Sequence, residues 1–138
     1  EIKECDWSSD VCSSDLQPIG RDPANRLRMA VVEGGRPSRT DYRVLARYSE
    51  GFSLVECNLL TGRTHQIRVH FRYIGHPLLG DTLYAPRKRS PFPLERVFLH
   101  SWRLTIPHPK DGRNCSYRSP LPEDLVEILR NLHSEGKA

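Results

Sequence analysis

Between Thr40 and Leu59 apolar and polar positions alternate. Tyr42, Val44, Ala46 and Tyr48 fall on one face, with Asp41, Arg43 and Arg47 on the other, which is the pattern of a half-buried strand. Ser49-Glu50-Gly51 turns the chain into a second apolar run, Phe52 to Leu59, so the two runs predict a hairpin. After Leu60-Thr61-Gly62-Arg63 the period lengthens to about 3.6 residues, with Ile67, Phe71 and Ile74 at i, i+4 and i+7. Thr64 is placed to cap this helix, and Gly75 with His76-Pro77 stops it. His65, Arg68 and Arg72 lie within roughly 60° of one another, away from the apolar stripe. One face is predicted to pack and another to be basic.

Further along, Gly80-Asp81 reads as a turn, and Arg87-Lys88-Arg89 with the following prolines as an exposed basic loop. Val97 to Ile106 is apolar again. Lys110-Asp111-Gly112 is a hairpin signal between Trp102–Ile106 and Asn114–Arg118. Leu125, Ile128, Leu129 and Leu132 then form an amphipathic stripe on a helix begun by Pro122. Gln17 to Arg39 reads as a connector with one short apolar piece, Met29 to Val32. Antiparallel hairpins with two main helices place the chain in the α+β class.

The 138 residues, with 37% hydrophobic and 28% charged positions, suit one soluble domain and neither a disordered chain nor several domains. No stretch approaches the roughly 20 apolar residues of a membrane span, and no export signal is visible, so a cytoplasmic protein without a membrane partner is expected. Glu1 to Leu16 differs from the rest in character. It holds five acids and one Lys, and Asp6 to Leu16 (DWSSDVCSSDL) resembles the translation of a sequencing-library adapter. Residues 1–16 are therefore expected to be non-native and to pack against nothing, the alternative being a genuine acidic arm that would bury Trp7. Without them, residues 17–138 carry 20 Lys+Arg and 12 Asp+Glu, a net +8 where the whole chain has +4. An excess of that size is a footprint for a polyanion such as nucleic acid. Cys57 and Cys115 lack any CxxC or Cys/His ligand spacing, so reduced thiols are expected, with Cys57 packing as a small hydrophobe.

The densest polar cluster is Leu60 to His70 (LTGRTHQIRVH), where a strand hands over to a helix. Arg63, His65, Gln66 and Arg68 gather donors around a Gly turn, which makes an anion site from residue chemistry alone. The plainer reading is a solvated basic face with a helix-start histidine. His65, His70 and His76 have neither the spacing nor the carboxylate of a metal site, and none is expected.

The run TGRTHQIRVHFRYIGHPLLGDTLY, Thr61 to Tyr84, resembles the signature of the large-ribosomal-subunit type of pseudouridine synthases, the family with the RluA-like catalytic domain. RMAVVEGGRPSRTDYRVL (Arg28 to Leu45), FLHSWRLTIPHP (Phe98 to Pro109) and SPLPEDL (Ser119 to Leu125) extend the resemblance over essentially all of residues 19 to 133. It implies an enzyme that cleaves the N1 glycosidic bond of a uridine in RNA, turns the base and rejoins it through C5, with no metal and no redox or other small-molecule cofactor. The implied RNA is large-subunit ribosomal RNA, although relatives modify transfer RNA. The fold it implies is part of a larger mixed sheet.

The family's nucleophilic Asp, in an HRLDxxTSG-like segment, and its base-stacking Tyr, in a KxYxAxVxG-like segment, match nothing in this chain. On the resemblance, residues 17–138 are expected to be the C-terminal part of the catalytic domain, inactive alone, with an exposed apolar face or strand edge where the remainder would dock. Asp41 and Asp81 are not substitutes for the nucleophile; Asp81 is expected to serve its turn. Arg68 matches the Arg that pairs with the catalytic Asp, and is expected to face a cleft without a complete carboxylate partner in this chain. Arg63 and His65 match the same loop, as RNA-backbone or site-shaping residues or else as helix-capping ones. Gln66 is expected to be structural and Tyr42 to be core. Arg72, Arg87, Lys88 and Arg89 are candidate phosphate contacts. A noncatalytic RNA-binding module is the alternative from another functional class.

Overall fold

In the computed structural model, residues 13–86 and 91–133 are described. Trp7 and the loop residues Arg87, Lys88 and Arg89 lie outside that range. The predicted hairpin is formed by β4 (Thr40–Arg47) and β5 (Ser53–Leu59), closed by a turn in which the Tyr48 N–H donates to Phe52 at 2.8 Å. Pairing runs from Thr40 opposite Leu59 to Arg47 opposite Ser53, with a bulge between Val44 and Ala46. The extra residue is Leu45, and it breaks the alternation, leaving Val44 and Leu45 both exposed. The expected outward face is also corrected at Asp41, which is buried. Arg39 holds its carboxylate through two hydrogen bonds of 2.9 and 3.2 Å, which is what allows the charge to leave water. Tyr42 faces inward as expected, its ring 5.1 Å from that of Phe71.

The expectation that residues 1–16 pack against nothing is corrected at their end. Ser13–Asp15 forms β1, antiparallel to β4, so the sheet order is β1-β4-β5. The edge of β4 presents unpaired N–H and C=O groups, and an extended chain of any sequence satisfies them. The fit is imperfect at the side chains. Ser14 donates to Asp41 at 2.6 Å, but Asp15 is buried with one carboxylate oxygen lacking a hydrogen-bond partner among the described residues.

The segment read as a connector contains a second ribbon, β2 (Ile19–Arg21) against β3 (Met29–Val31). Its loop is pinned by the buried Asp22, which accepts from Arg28 Nε at 2.7 Å and from the Ala24 N–H at 2.9 Å. Ile19 anchors a small core with Val69 and Tyr84, against which Met29, Val31 and Leu83 pack.

Helix α1 (Gln66–Tyr73) lies against β3 and β4. Its buried residues are Gln66, Val69, His70 and Phe71. Of the predicted stripe only Phe71 is fully buried, and the inward face is centred roughly a third of a turn away, on Gln66, Val69 and His70. Nor does Thr64 cap the start. The preceding residue, His65, is left-handed at φ 54°, and the Gln66 side chain reaches back to the Arg63 N–H at 3.0 Å instead. At the other end the Gly75 and His76 N–H groups bond the Arg72 and Phe71 carbonyls, with Gly75 at φ +86°, the glycine-terminated stop that the sequence signals.

The second predicted hairpin is β6 (Arg103–Pro107) with β7 (Asn114–Arg118), in register from Arg103 opposite Arg118 to Pro107 opposite Asn114. Glu56 on β5 ties it to the first, accepting from Arg43 at 3.3 Å and standing 3.5 Å from Arg103 as an ion pair. This hairpin carries the expected exposed apolar face: Leu104, Ile106 and Tyr117 are 52%, 41% and 56% exposed. Helix α2 (Glu123–Arg130) buries Leu125 and Ile128 as patterned, and just beyond it His133 is bonded to Glu50 and Ser49 of the first hairpin's turn. Cys57, on β5, is half-buried, and burial pushes its thiol up to about 12. Among the described residues no helix is long and apolar enough to cross a membrane.

Among the described glycines Gly80, at φ +76°, makes the closest backbone approach, because a Cβ there would collide with the Arg96 carbonyl. Gly75 is equally left-handed but opens onto free space. Gly80→Ala is therefore expected to lower unfolding free energy by about 2–4 kcal/mol, and Gly75→Ala by only about 1 kcal/mol. Urea denaturation followed by circular dichroism compares the two; equal losses would contradict the close approach.

Candidate functional site

The strand-to-helix junction is organised by Gln66. Its amide nitrogen donates to the Arg39 carbonyl at 2.8 Å and to Thr40 Oγ1 at 2.9 Å, and its amide oxygen accepts from Thr61 Oγ1 at 2.7 Å as well as from the Arg63 N–H. A buried amide with both ends satisfied in this way fixes β4, the loop and α1 to one another. The structural role expected of Gln66 is what the geometry shows. Thr40 passes the network on to His70 Nδ1 at 2.8 Å, and His70 Nε2 donates to the Gln17 carbonyl at 2.9 Å. Both ring nitrogens of His70 are therefore occupied.

Arg63 donates from Nε and one terminal nitrogen to the Pro37 carbonyl, at 3.0 and 2.8 Å. It clamps the loop onto the segment before β4. Arg72 is exposed on the outer side of α1.

Arg68 differs from expectation. Its Nε and one terminal nitrogen make a two-pronged bond to the Asp81 carboxylate, at 2.9 and 2.8 Å, and the Asp81 side chain is completely buried. The expectation that Arg68 lacks a complete carboxylate partner within the chain is thus corrected. The physical reason lies in the turn: Asp81 also accepts from the Leu83 and Tyr84 N–H groups at 3.2 and 3.1 Å, so its charge is fixed inside the fold and requires a cation. Burial alone pushes the Asp81 carboxyl up, but hydrogen bonds from Arg68 and from the two N–H groups outweigh it and hold it below the usual carboxylate range.

Sequence reading gave Tyr84 no role, yet it closes the cluster. Arg68 lies over its ring at 5.0 Å, and its hydroxyl accepts from the Met29 N–H at 2.9 Å. The same hydroxyl sits 2.8 Å from His65 Nδ1, with the two rings edge to face. The signal was available in the spacing, since a residue three positions after a turn Asp is where its N–H caps the carboxylate. Burial, and then the Arg68 charge, push the His65 pKa down, while burial raises that of Tyr84. At neutral pH the cluster is an uncharged imidazole, a protonated phenol and one ion pair.

A family model described as "RNA pseudouridylate synthase" matches residues 5–73. The chain belongs to that family. An uncharacterized RNA pseudouridine synthase of Chloroflexus aurantiacus is 55% identical over 119 residues, 86% of this chain and 37% of that protein. The ribosomal large subunit pseudouridine synthase D of Nitrosomonas europaea is 46% identical over 125 residues, 85% of this chain and 36% of that protein. The chain therefore spans little more than a third of these relatives. Among solved structures, human RNA pseudouridylate synthase domain containing 1 superposes with a TM-score of 0.69 at 28% identity, over 97% of this chain and 57% of the human one. The α+β arrangement, and its place within a pseudouridylate synthase domain, agree with what the resemblance implied.

The buried pair carries a pH signature. A carboxyl whose folded pKa is depressed contributes stability in full above its unfolded value of about 3.9, and loses it as pH falls through the folded value. Asp81→Asn, which leaves Arg68 without its counter-charge, is expected to cost roughly 3 kcal/mol or more at neutral pH, with the gap to wild type narrowing below about pH 4. Denaturant midpoints measured across that range check it, and a gap independent of pH would remove Asp81 from the account.

Proposed function

We propose that the chain is the C-terminal part of the catalytic domain of an RNA pseudouridine synthase acting on large-subunit ribosomal RNA, with residues 1–16 a non-native leader whose end pairs along β4 and falls inside the span that the family model matches. The observation that carries this reading is the hydrogen-bonded Arg68–Asp81–Tyr84–His65 cluster, built within the same 61–84 stretch on which the family resemblance rests. The name of the Nitrosomonas relative supports the choice of RNA. A cytoplasmic setting, with RNA and no membrane as partner, belongs to the same proposal.

The reaction conserves every atom: the N1–C1′ bond of uridine breaks, the C5–C1′ bond forms, and the proton lost from C5 is matched by one gained at N1. Such chemistry needs a carboxylate placed against the sugar and a base held still while it turns. In this reading the carboxylate comes from residues outside these 138. Arg68 enters as its partner on the strength of the resemblance alone, since its pairing with the buried Asp81 removes the geometric ground for placing it in the site. A guanidinium has five N–H donors, and Asp81 accepts from two of them, so three have no acceptor among the described residues on a side chain that the pair already holds in place. His65 and Arg72 are read as RNA contacts, whereas Arg63, bonded to Pro37, acts as the clamp that shapes their loop.

The 138-residue chain alone should bind RNA with strong salt dependence and form no pseudouridine, while the natural chain extended upstream of Gln17 should form it. Arg72→Ala should reduce the slope of log K against log salt by about 0.7–0.9, the value of one phosphate contact. Titrations at several salt concentrations and a pseudouridine-specific assay of treated ribosomal RNA check both. Binding without isomerisation by the extended chain would favour a noncatalytic RNA-binding module.

A further inference from the structure

Three observations meet at His65. Its backbone is the one non-glycine left-handed residue among those described, a conformation that costs a side chain with a Cβ about 1–2 kcal/mol. Its Nδ1 is 2.8 Å from the hydroxyl of Tyr84, a side chain only 3% exposed. That hydroxyl already accepts from the Met29 N–H and has no third partner among the described residues.

A phenol has one proton to give. The Met29 N–H can only donate, so the hydroxyl proton has a single acceptor within reach, His65 Nδ1; were Nδ1 itself protonated, a buried O–H would be left unsatisfied. With Nδ1 accepting, the neutral ring carries its proton on Nε2, on the edge turned away from Tyr84. No described residue accepts from it. The tautomer is thereby set by a chain of bonds that begins at the β3 backbone, and Asp81 with Arg68 holds Tyr84 in place behind it.

We propose that Tyr84 is a positioning residue that locks His65 as the Nε2–H tautomer, so that the half-buried ring presents one fixed donor to an RNA oxygen. The inference rests on the reading of the chain as RNA-binding. It deepens that reading by choosing the contact: a neutral, directed donor that recognises an acceptor atom, in contrast to the charge of Arg72, which attracts any phosphate. The left-handed backbone at His65 is the local cost of aiming the ring.

The test joins spectroscopy to binding. In the 138-residue chain labelled with 15N-histidine, long-range proton–nitrogen correlation spectra at neutral pH should show His65 Nδ1 unprotonated and Nε2 protonated, and Tyr84→Phe should convert this to a tautomer mixture. A uridine-containing stem–loop RNA should bind His65→Asn about 5–10-fold more weakly, the loss of roughly one hydrogen bond. Asn tolerates the left-handed backbone and can still accept from Tyr84, so its thermal midpoint should hold. His65→Gln, whose amide nitrogen reaches the Nε2 position, should recover most of the affinity. A protonated Nδ1 in the wild type, or wild-type affinity in His65→Asn, overturns the proposal and leaves the RNA reading standing. A wild-type chain that binds no RNA overturns both.

Discussion

A carboxylate with no access to water governs the geometry of this chain. Once Asp81 is enclosed, its oxygens must be met from inside, and the fold meets them with two bonds from Arg68 and with the N–H groups of Leu83 and Tyr84. Those bonds set the turn, the turn sets Tyr84, and Tyr84 reaches both Met29 on β3 and His65 at the head of α1. Three segments distant in sequence are thus registered against one side chain. Removing either charge leaves the other stranded, which costs more than the pair contributes by existing.

Much of this architecture is legible in the order of residues. The period-two runs on either side of Ser49-Glu50-Gly51, the Lys110-Asp111-Gly112 turn and the Leu125/Ile128 stripe each mark an element that forms where the pattern puts it. What pattern misses is polar burial. Gln66 and His70 lie on the inward face of α1 because Thr40, the Arg39 carbonyl and the Gln17 carbonyl offer them partners, and hydropathy assigns such residues to solvent. The same blindness affects Arg68: its spacing places it on the outer, basic side, and nothing local reveals that a residue thirteen positions later will claim it. The bulge at Leu45 is equally invisible, since one inserted residue leaves the alternation on either side intact.

Ser13–Asp15 shows the difference between backbone and side-chain recognition. Pairing with β4 needs only an extended chain, and Ser-Ser-Asp supplies one. Beneath it, one Asp15 oxygen finds no donor among the described residues, so the side chain is enclosed without the partner its backbone has. Strand addition is permissive, and cores are not.

Position alone sets the chemistry of the thiol on β5. Burial on β5 pushes the Cys57 thiol up to about 12, which keeps it protonated at neutral pH, and the thiolate is the form that oxidants and alkylating reagents attack. Cys115 sits on β7 of the exposed hairpin, half-buried. A thiol-directed reagent at neutral pH therefore leaves Cys57, and with it the sheet that supports α1, untouched.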